Sequence, residues 1–152
     1  MFASVFTRSE DRTREMNQAL AESTVLTDEL FAADHLLFAV PMYNFSVPST
    51  FKAYIDSIVI PHRTVSYEAA VPQGKLSGKR CTVITTSGAT YAPGTPLAPF
   101  DHFEPYLRSV LAFIGITDLT FVKAEGLDFL PPPQRDASYA AALSRLHEIA
   151  GV

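Results

Sequence analysis

The stretch that decides the fold is HLLFAVPMYNFSVPSTFKAYIDSIV, residues 35–59. Its first six residues form a continuous apolar run between Asp34 and Pro41, the pattern of a strand buried on both faces in a parallel sheet. Phe51, Ile55, Ile58 and Val59 then recur at i, i+4, i+7 and i+8, which predicts an amphipathic helix over residues 48–59. Pro48 suits the first turn of that helix, where its missing N–H is not needed. Between strand and helix, Met42, Tyr43 and Phe45 surround Asn44 where the chain turns toward solvent. Exposed aromatics at a strand-to-helix turn call for something flat to lie against them.

Working outward, residues 8–32 read as a helix, with Glu10 and Asp11 near its start and Met16, Leu20, Leu26 and Leu30 as a stripe broken around STVLT. Residues 60–78 read as a loop. RCTVITTSG, residues 80–88, is a second strand opening into a polar turn, and residues 89–99 form a long irregular loop. Phe103, Leu107, Val110, Leu111 and Ile114 mark a further helix closed by Gly115. LTFVKAEG, residues 119–126, is a third strand. After PPPQRD a last helix runs to about residue 150, with Tyr139, Leu143 and Leu146 on one side. The order α-β-α-β-α-β-α predicts one α/β domain over residues 1–152, a three-layer parallel sheet of about three strands with flanking helices.

The composition, 47% hydrophobic and 18% charged over 152 residues, suits a soluble domain with a core of its own. A net charge of −4 provides no basic field for nucleic acid or an anionic membrane. No apolar run reaches the roughly 20 residues of a membrane span. The single cysteine, Cys81, forms no internal disulfide and fits a reducing compartment, so a cytoplasmic location is expected. Four scattered histidines and one cysteine make no metal-ligating pattern, and no G-x-S-x-G or G-x-G-x-x-G frame occurs. No metal site and no residue in direct acid–base or nucleophilic catalysis is expected.

In parallel sheets, ligands sit beyond the carboxyl ends of the strands. Two turns leave those ends: PMYNF, residues 41–45, and TTSGAT, residues 85–90. The first offers aromatic faces and backbone N–H groups at a helix N-terminus. The second offers hydroxyls and a glycine that permits close backbone approach. They suit a flat heteroaromatic ring with polar edges. The residues equally allow Tyr43 and Phe45 to cap the core and Gly88 to serve only the turn.

PMYNFSVPSTFKAYID closely resembles the turn and helix that bind FMN in the FMN-dependent NADH-azoreductases of the flavodoxin-like NAD(P)H:quinone oxidoreductase group. The resemblance runs from about residue 10 to 150, and PMYNF and FIGITD are its specific segments. It implies a flavodoxin-like fold and FMN held by Met42, Tyr43, Asn44 and Phe45 against the ring and by Thr86, Ser87, Gly88 and Ala89 at its polar edge. It further implies NADH or NADPH as donor, a quinone or azo compound as acceptor, ping-pong transfer through the flavin, and a homodimer with the sites at the subunit interface. Ala89 stands where the family usually has a second glycine, and Val65 where it often has an aromatic. The family's chains open with a strand and a Ser-rich phosphate-binding loop, and the resemblance begins after both. If Met1 is the true start, FMN binding is expected to be weakened or lost, and strand 35–40 becomes a sheet edge. The alternative is a non-catalytic remnant or interaction module of the same fold that binds no FMN.

Overall fold

The computed structural model describes residues 2–151. A short helix α1 (Phe2–Phe6) and a 3-10 turn (Ser9–Asp11) precede α2 (Arg14–Ala19) and α3 (Ala21–Ala32). The single helix expected over residues 8–32 is therefore broken. Arg12 is extended, the Thr13 side chain accepts from Met16 N to start α2, and Leu20 leaves helical geometry at φ −104°, ψ 4°. The stripe that α3 buries is Ser23, Thr27 and Leu30, with Leu20 just ahead of it. Thr27 Oγ1 donates to the Ser23 carbonyl at 2.7 Å, so its hydroxyl is satisfied inside the core.

β1 (His35–Ala39) leads through the aromatic turn into α4 (Ser49–Ile58). Two short strands, β2 (Val65–Ser66) and β3 (Gln73–Gly74), pair antiparallel inside the stretch expected to be loop. β4 (Arg80–Thr86), α5 (Phe103–Phe113), β5 (Asp118–Ala124) and α6 (Pro132–Ala150) complete the chain. The main sheet has the order β1-β4-β5. Asp34 O accepts from Arg80 N, Val40 N donates to Ile84 O, and Met42 N donates to Thr86 O. Partners that rise together along both strands define parallel pairing.

β4 is central, with Cys81, Thr82, Val83 and Thr85 buried. β1 is an edge and is covered on one face only: Leu36 is buried and Leu37 is 64% exposed. The burial expected on both its faces does not occur, because an apolar run reports what a strand is able to bury and not what packs on it.

The chain clusters into two compact units. The first gathers the N-terminal helices, Ser49–Arg80 and Arg108–Asp118 around Leu30, Ile55, Ile58, Leu76, Leu111 and Ile114. Within it, Arg63 binds Thr27 and pairs with Asp28 at 2.5 Å, tying residues after α4 to α3. The second gathers Leu37–Pro48, Cys81–Leu107 and the chain from Leu119 onward around Val40, Val83, Phe103, Leu107 and Val122. α6 lies lightly on this unit. Ser138, Ala142, Leu146 and Ile149 are half-buried, while Tyr139 and Leu143, expected to share one side with Leu146, are exposed.

In the first unit Gly115 closes α5 with φ +104°, and Leu76 N donates to Ile114 O at 2.9 Å. A Cβ on Gly115 would lie 2.9 Å from Leu76 N and 3.0 Å from Gly74 O, both backbone atoms that have no room to give. Gly115→Ala is expected to destabilise the chain by about 3 kcal/mol, from the left-handed backbone and the overlap together. A urea midpoint equal to that of the parent chain would contradict this account of the helix end.

Candidate functional site

The site lies where β1 and β4 end side by side. After the Met42–Thr86 hydrogen bond, Tyr43 N donates to Ser46 O at 2.9 Å and Ser46 N returns to Tyr43 O at 3.0 Å. Asn44 and Phe45 both have positive φ, 47° and 71°, so residues 43–46 form a two-residue turn of the I′ kind. Asn tolerates that backbone; Phe does so only under strain. Phe45 is held there by its neighbours. Its ring lies 5.5 Å from that of Phe100 and 6.2 Å from that of Tyr91, and its carbonyl accepts from His102 N at 3.0 Å.

The turn after β4 is fastened differently. Ser87 N donates to Ala124 O, and the carbonyls of Ser87, Gly88 and Ala89 accept from the N–H groups of Leu127, Asp128, Phe129 and Gly126 at 3.1–3.2 Å. Ser87 Oγ donates to Ala89 O at 2.8 Å. With its carbonyls committed to residues 126–129, the turn keeps the N–H groups of Gly88 and Ala89 without a backbone partner among the described residues. A Cβ on Gly88 would fall on the Asp128 carboxylate.

A cavity of about 210 Å³ opens between the two turns, lined by Pro41, Met42, Tyr43, Thr86, Ser87, Gly88, Leu127 and Asp128. Of the residues expected from sequence, Met42, Tyr43, Thr86, Ser87 and Gly88 lie in this lining. Asn44 forms the turn tip, Phe45 joins the Tyr91–Phe100 cluster, and Ala89 holds the Ser87 hydroxyl. Sequence reading missed Leu127 and Asp128. Their only signal was the phase of the third strand, whose end sets which residues return toward Gly88.

Nothing in the lining is basic. The cationic centre of this unit lies apart, where Lys123 pairs with Glu104 at 2.5 Å and Asp101 at 3.4 Å. Burial pulls the Lys123 pKa down, but the Glu104 hydrogen bond and the charges of Glu104, Asp101 and Glu125 outweigh it and hold the amine above its ordinary value. Asp101 Oδ1 also accepts from Phe103 N and Glu104 N at 3.0 Å, capping α5 next to the His102 bond that holds Phe45. Cys81, at the opposite end of β4, is buried, and desolvation pushes its thiol up to about 12. Such a thiol is inert at neutral pH. Among the described residues no His, Cys, Asp and Glu group is arranged to hold a metal, and no helix is long and apolar enough to cross a membrane.

Parallel strands with helical crossovers and a cavity at their carboxyl ends define a doubly wound α/β protein, with its pocket where such folds place a ligand. The family model described as flavodoxin-like fold matches residues 1–150, and the chain belongs to that family. It is 46% identical over 141 residues to an FMN-dependent NADH:quinone oxidoreductase of Nostoc sp., covering 92% of this chain and 68% of that protein. It is 50% identical over 120 residues to FMN-dependent NADH:quinone oxidoreductase 2 of Pseudomonas fluorescens, covering 79% of this chain and 58% of that protein. Among solved structures it resembles an FMN-dependent NADH-azoreductase from Bacillus anthracis in complex with FMN, with a TM-score of 0.75 and 28% identity over 90% of this chain and 67% of that one. The azoreductase AzrA gives a TM-score of 0.88 at 25% identity, over 99% of this chain and 72% of that one. The resemblance carried by PMYNF and FIGITD is thus borne out, and the chain spans roughly three fifths to two thirds of the length of these curated relatives.

Glu125, just beyond β5, is half-buried and accepts from Tyr91 N at 3.3 Å. Desolvation raises its pKa above the ordinary carboxylate value, against the opposing charge of Lys123. A carboxyl whose folded pKa exceeds its unfolded one binds its proton more tightly when folded. Stability therefore falls as pH rises from the unfolded pKa through the folded one. Glu125→Gln is expected to be more stable than the parent at neutral pH. The difference should vanish below about pH 4, where both states of the parent hold the proton. Urea melts across that range would show a pH-independent gap if the burial cost were absent.

Proposed function

We propose that the cavity between residues 41–43 and 86–88 holds the ring of FMN. In this reading the chain serves an NAD(P)H:quinone or azo-compound oxidoreductase that works by ping-pong transfer. The observation that carries it is the pairing of apolar faces at Met42 and Tyr43 with an open glycine turn whose Gly88 and Ala89 N–H groups have no backbone partner among the described residues. A flat ring with acceptor atoms on one edge fits both. The flavin, when bound, supplies the hydride chemistry. The chain's own residues orient it. Tyr43, 62% exposed, would cover one face, and Gly88 and Ala89 N–H groups would meet the acceptor edge. Gly88 keeps the approach open, since any side chain there competes with Asp128. Thr86 and Ser87 complete the polar rim.

The cavity is smaller than the roughly 300–1,000 Å³ of pockets that enclose a whole drug-sized ligand. It would take the ring and leave the ribityl phosphate outside the described lining, which offers that phosphate no cation. The names of the relatives support FMN with NADH as donor and quinones or azo compounds as acceptors. The proposal includes a cytoplasmic location, in keeping with one inert thiol, and a single flavodoxin-like domain over residues 1–152, the C-terminal two-thirds to three-quarters of the family fold.

Tyr43→Ala and Gly88→Val are each expected to weaken FMN binding about tenfold or more, by loss of a stacking face and by a Cβ-branched obstruction. Fluorescence titration measures this directly, and affinity unchanged in both variants would remove FMN from this cavity.

A homodimer belongs to the same proposal. β1 presents an unpaired edge with Leu37 largely exposed, and such edges pair with another chain or are covered. Size exclusion with light scattering is expected to give twice the 16.6 kDa chain mass. A clean monomer at tens of micromolar, on the order of ordinary interface affinities, would overturn it.

A further inference from the structure

We propose that Asp128 sets the reducing power of the ring held in this cavity, by opposing the negative charge that the ring gains on reduction. The inference rests on the flavin reading above and goes beyond it by assigning a tuning charge to a residue outside the expected site.

Three observations carry it. Asp128 lines the cavity, and its carboxylate occupies the space a Cβ on Gly88 would need, so the charge stands directly over the glycine turn. The backbone that carries it is held there, because Asp128 N donates to Gly88 O at 3.1 Å and the neighbouring Leu127 and Phe129 N–H groups bind Ser87 and Gly88 carbonyls. It also stands alone. No Lys, Arg or His lines the cavity, and no ion pair involves Asp128 among the described residues. Lys123, the nearby strand's cation, is taken up by Glu104 and Asp101.

The chemistry follows from charge balance. When bound, the flavin would take a hydride, two electrons and one proton, from reduced nicotinamide, which would leave in its oxidised form. The ring would hold one negative charge until it passed that hydride to the acceptor. A carboxylate beside the ring would disfavour the charged state relative to the neutral one. The bound cofactor becomes a stronger reductant, which favours delivery to quinones and azo bonds. The Gly88 and Ala89 N–H groups act in the opposite sense, and Asp128 limits their effect.

The test uses the full chain, its Asp128→Asn variant and the conservative Asp128→Glu. FMN affinity is measured by fluorescence, and the midpoint potential of the bound flavin by equilibration with a reference dye during slow reduction. Asp128→Asn is expected to bind reduced FMN about tenfold better relative to oxidised FMN, at the Coulomb energy of a partly solvated charge several ångströms away. For a two-electron couple that is a potential about 30 mV higher. Asp128→Glu, which keeps the charge, is expected to stay near the parent. Asp128→Asn that binds FMN with the parent's potential would overturn the tuning role and leave the flavin site standing. A parent chain that binds no FMN would overturn the reading itself, and with it this inference. A merely structural role for Asp128 would move the unfolding midpoint of both variants and not the potential of Asp128→Asn alone.

Discussion

The in-register parallel pairing of β1 with β4 is the constraint on which the cavity depends. Because Val40 meets Ile84 and Met42 meets Thr86, both chains leave the sheet at the same end and at the same height. Antiparallel pairing would have sent the aromatic turn and the glycine turn to opposite ends. The parallel arrangement needs helical crossovers, and α4 and α5 supply them. The amphipathic periodicity of residues 48–59 is thus as much a condition of the site as Tyr43 is.

Each turn is then held by long-range contacts. The 43–46 turn keeps Phe45 at a positive φ that a bulky side chain avoids, and the contacts with Phe100, Tyr91 and His102 N offset that strain. Asp101 joins this arrangement by capping α5 while facing Lys123. The 87–89 turn is held by residues 126–129, which consume its carbonyls, while the N–H groups of Gly88 and Ala89 keep no backbone partner among the described residues. One turn is positioned by aromatic packing and a cap, the other by backbone pairing. Backbone pairing leaves the second turn free of bulky side chains, which suits close approach by a ligand.

Charge is distributed with the same division. Lys123, half-buried in this unit, is neutralised within its own cluster, and Glu125 holds the long loop at Tyr91. The cavity is left with a single carboxylate. The thiol of Cys81 sits at the far end of β4, where desolvation keeps it protonated.

Much of this was legible in the residues. The three strands and the flanking helices follow from apolar run length and 3.6-residue periodicity, which are local properties of the chain. The placing of Met42, Tyr43, Thr86, Ser87 and Gly88 at strand ends follows from the same reading. What local pattern missed has a common cause. Ser23 and Thr27 look polar in sequence yet are buried, since their hydroxyl environment is settled by the helix and by what packs on it. The residues around Gln73 looked like loop, because a two-residue pairing with Val65 leaves no periodic trace. Leu37 looked like core but lies exposed on an edge strand, because strand order is decided by partners remote in the chain. Asp128 carried no signal of its own in the sequence, where it falls between the third strand and PPPQRD. Its place over Gly88 exists because residues forty apart in sequence are joined by backbone hydrogen bonds. By itself the sequence determined which segments are strands and helices and which turns end them, because those depend on neighbours a few residues away. Only the tertiary structure decided which side chains share the cavity and which charge faces it, because those depend on register between strands that meet only when the sheet has formed.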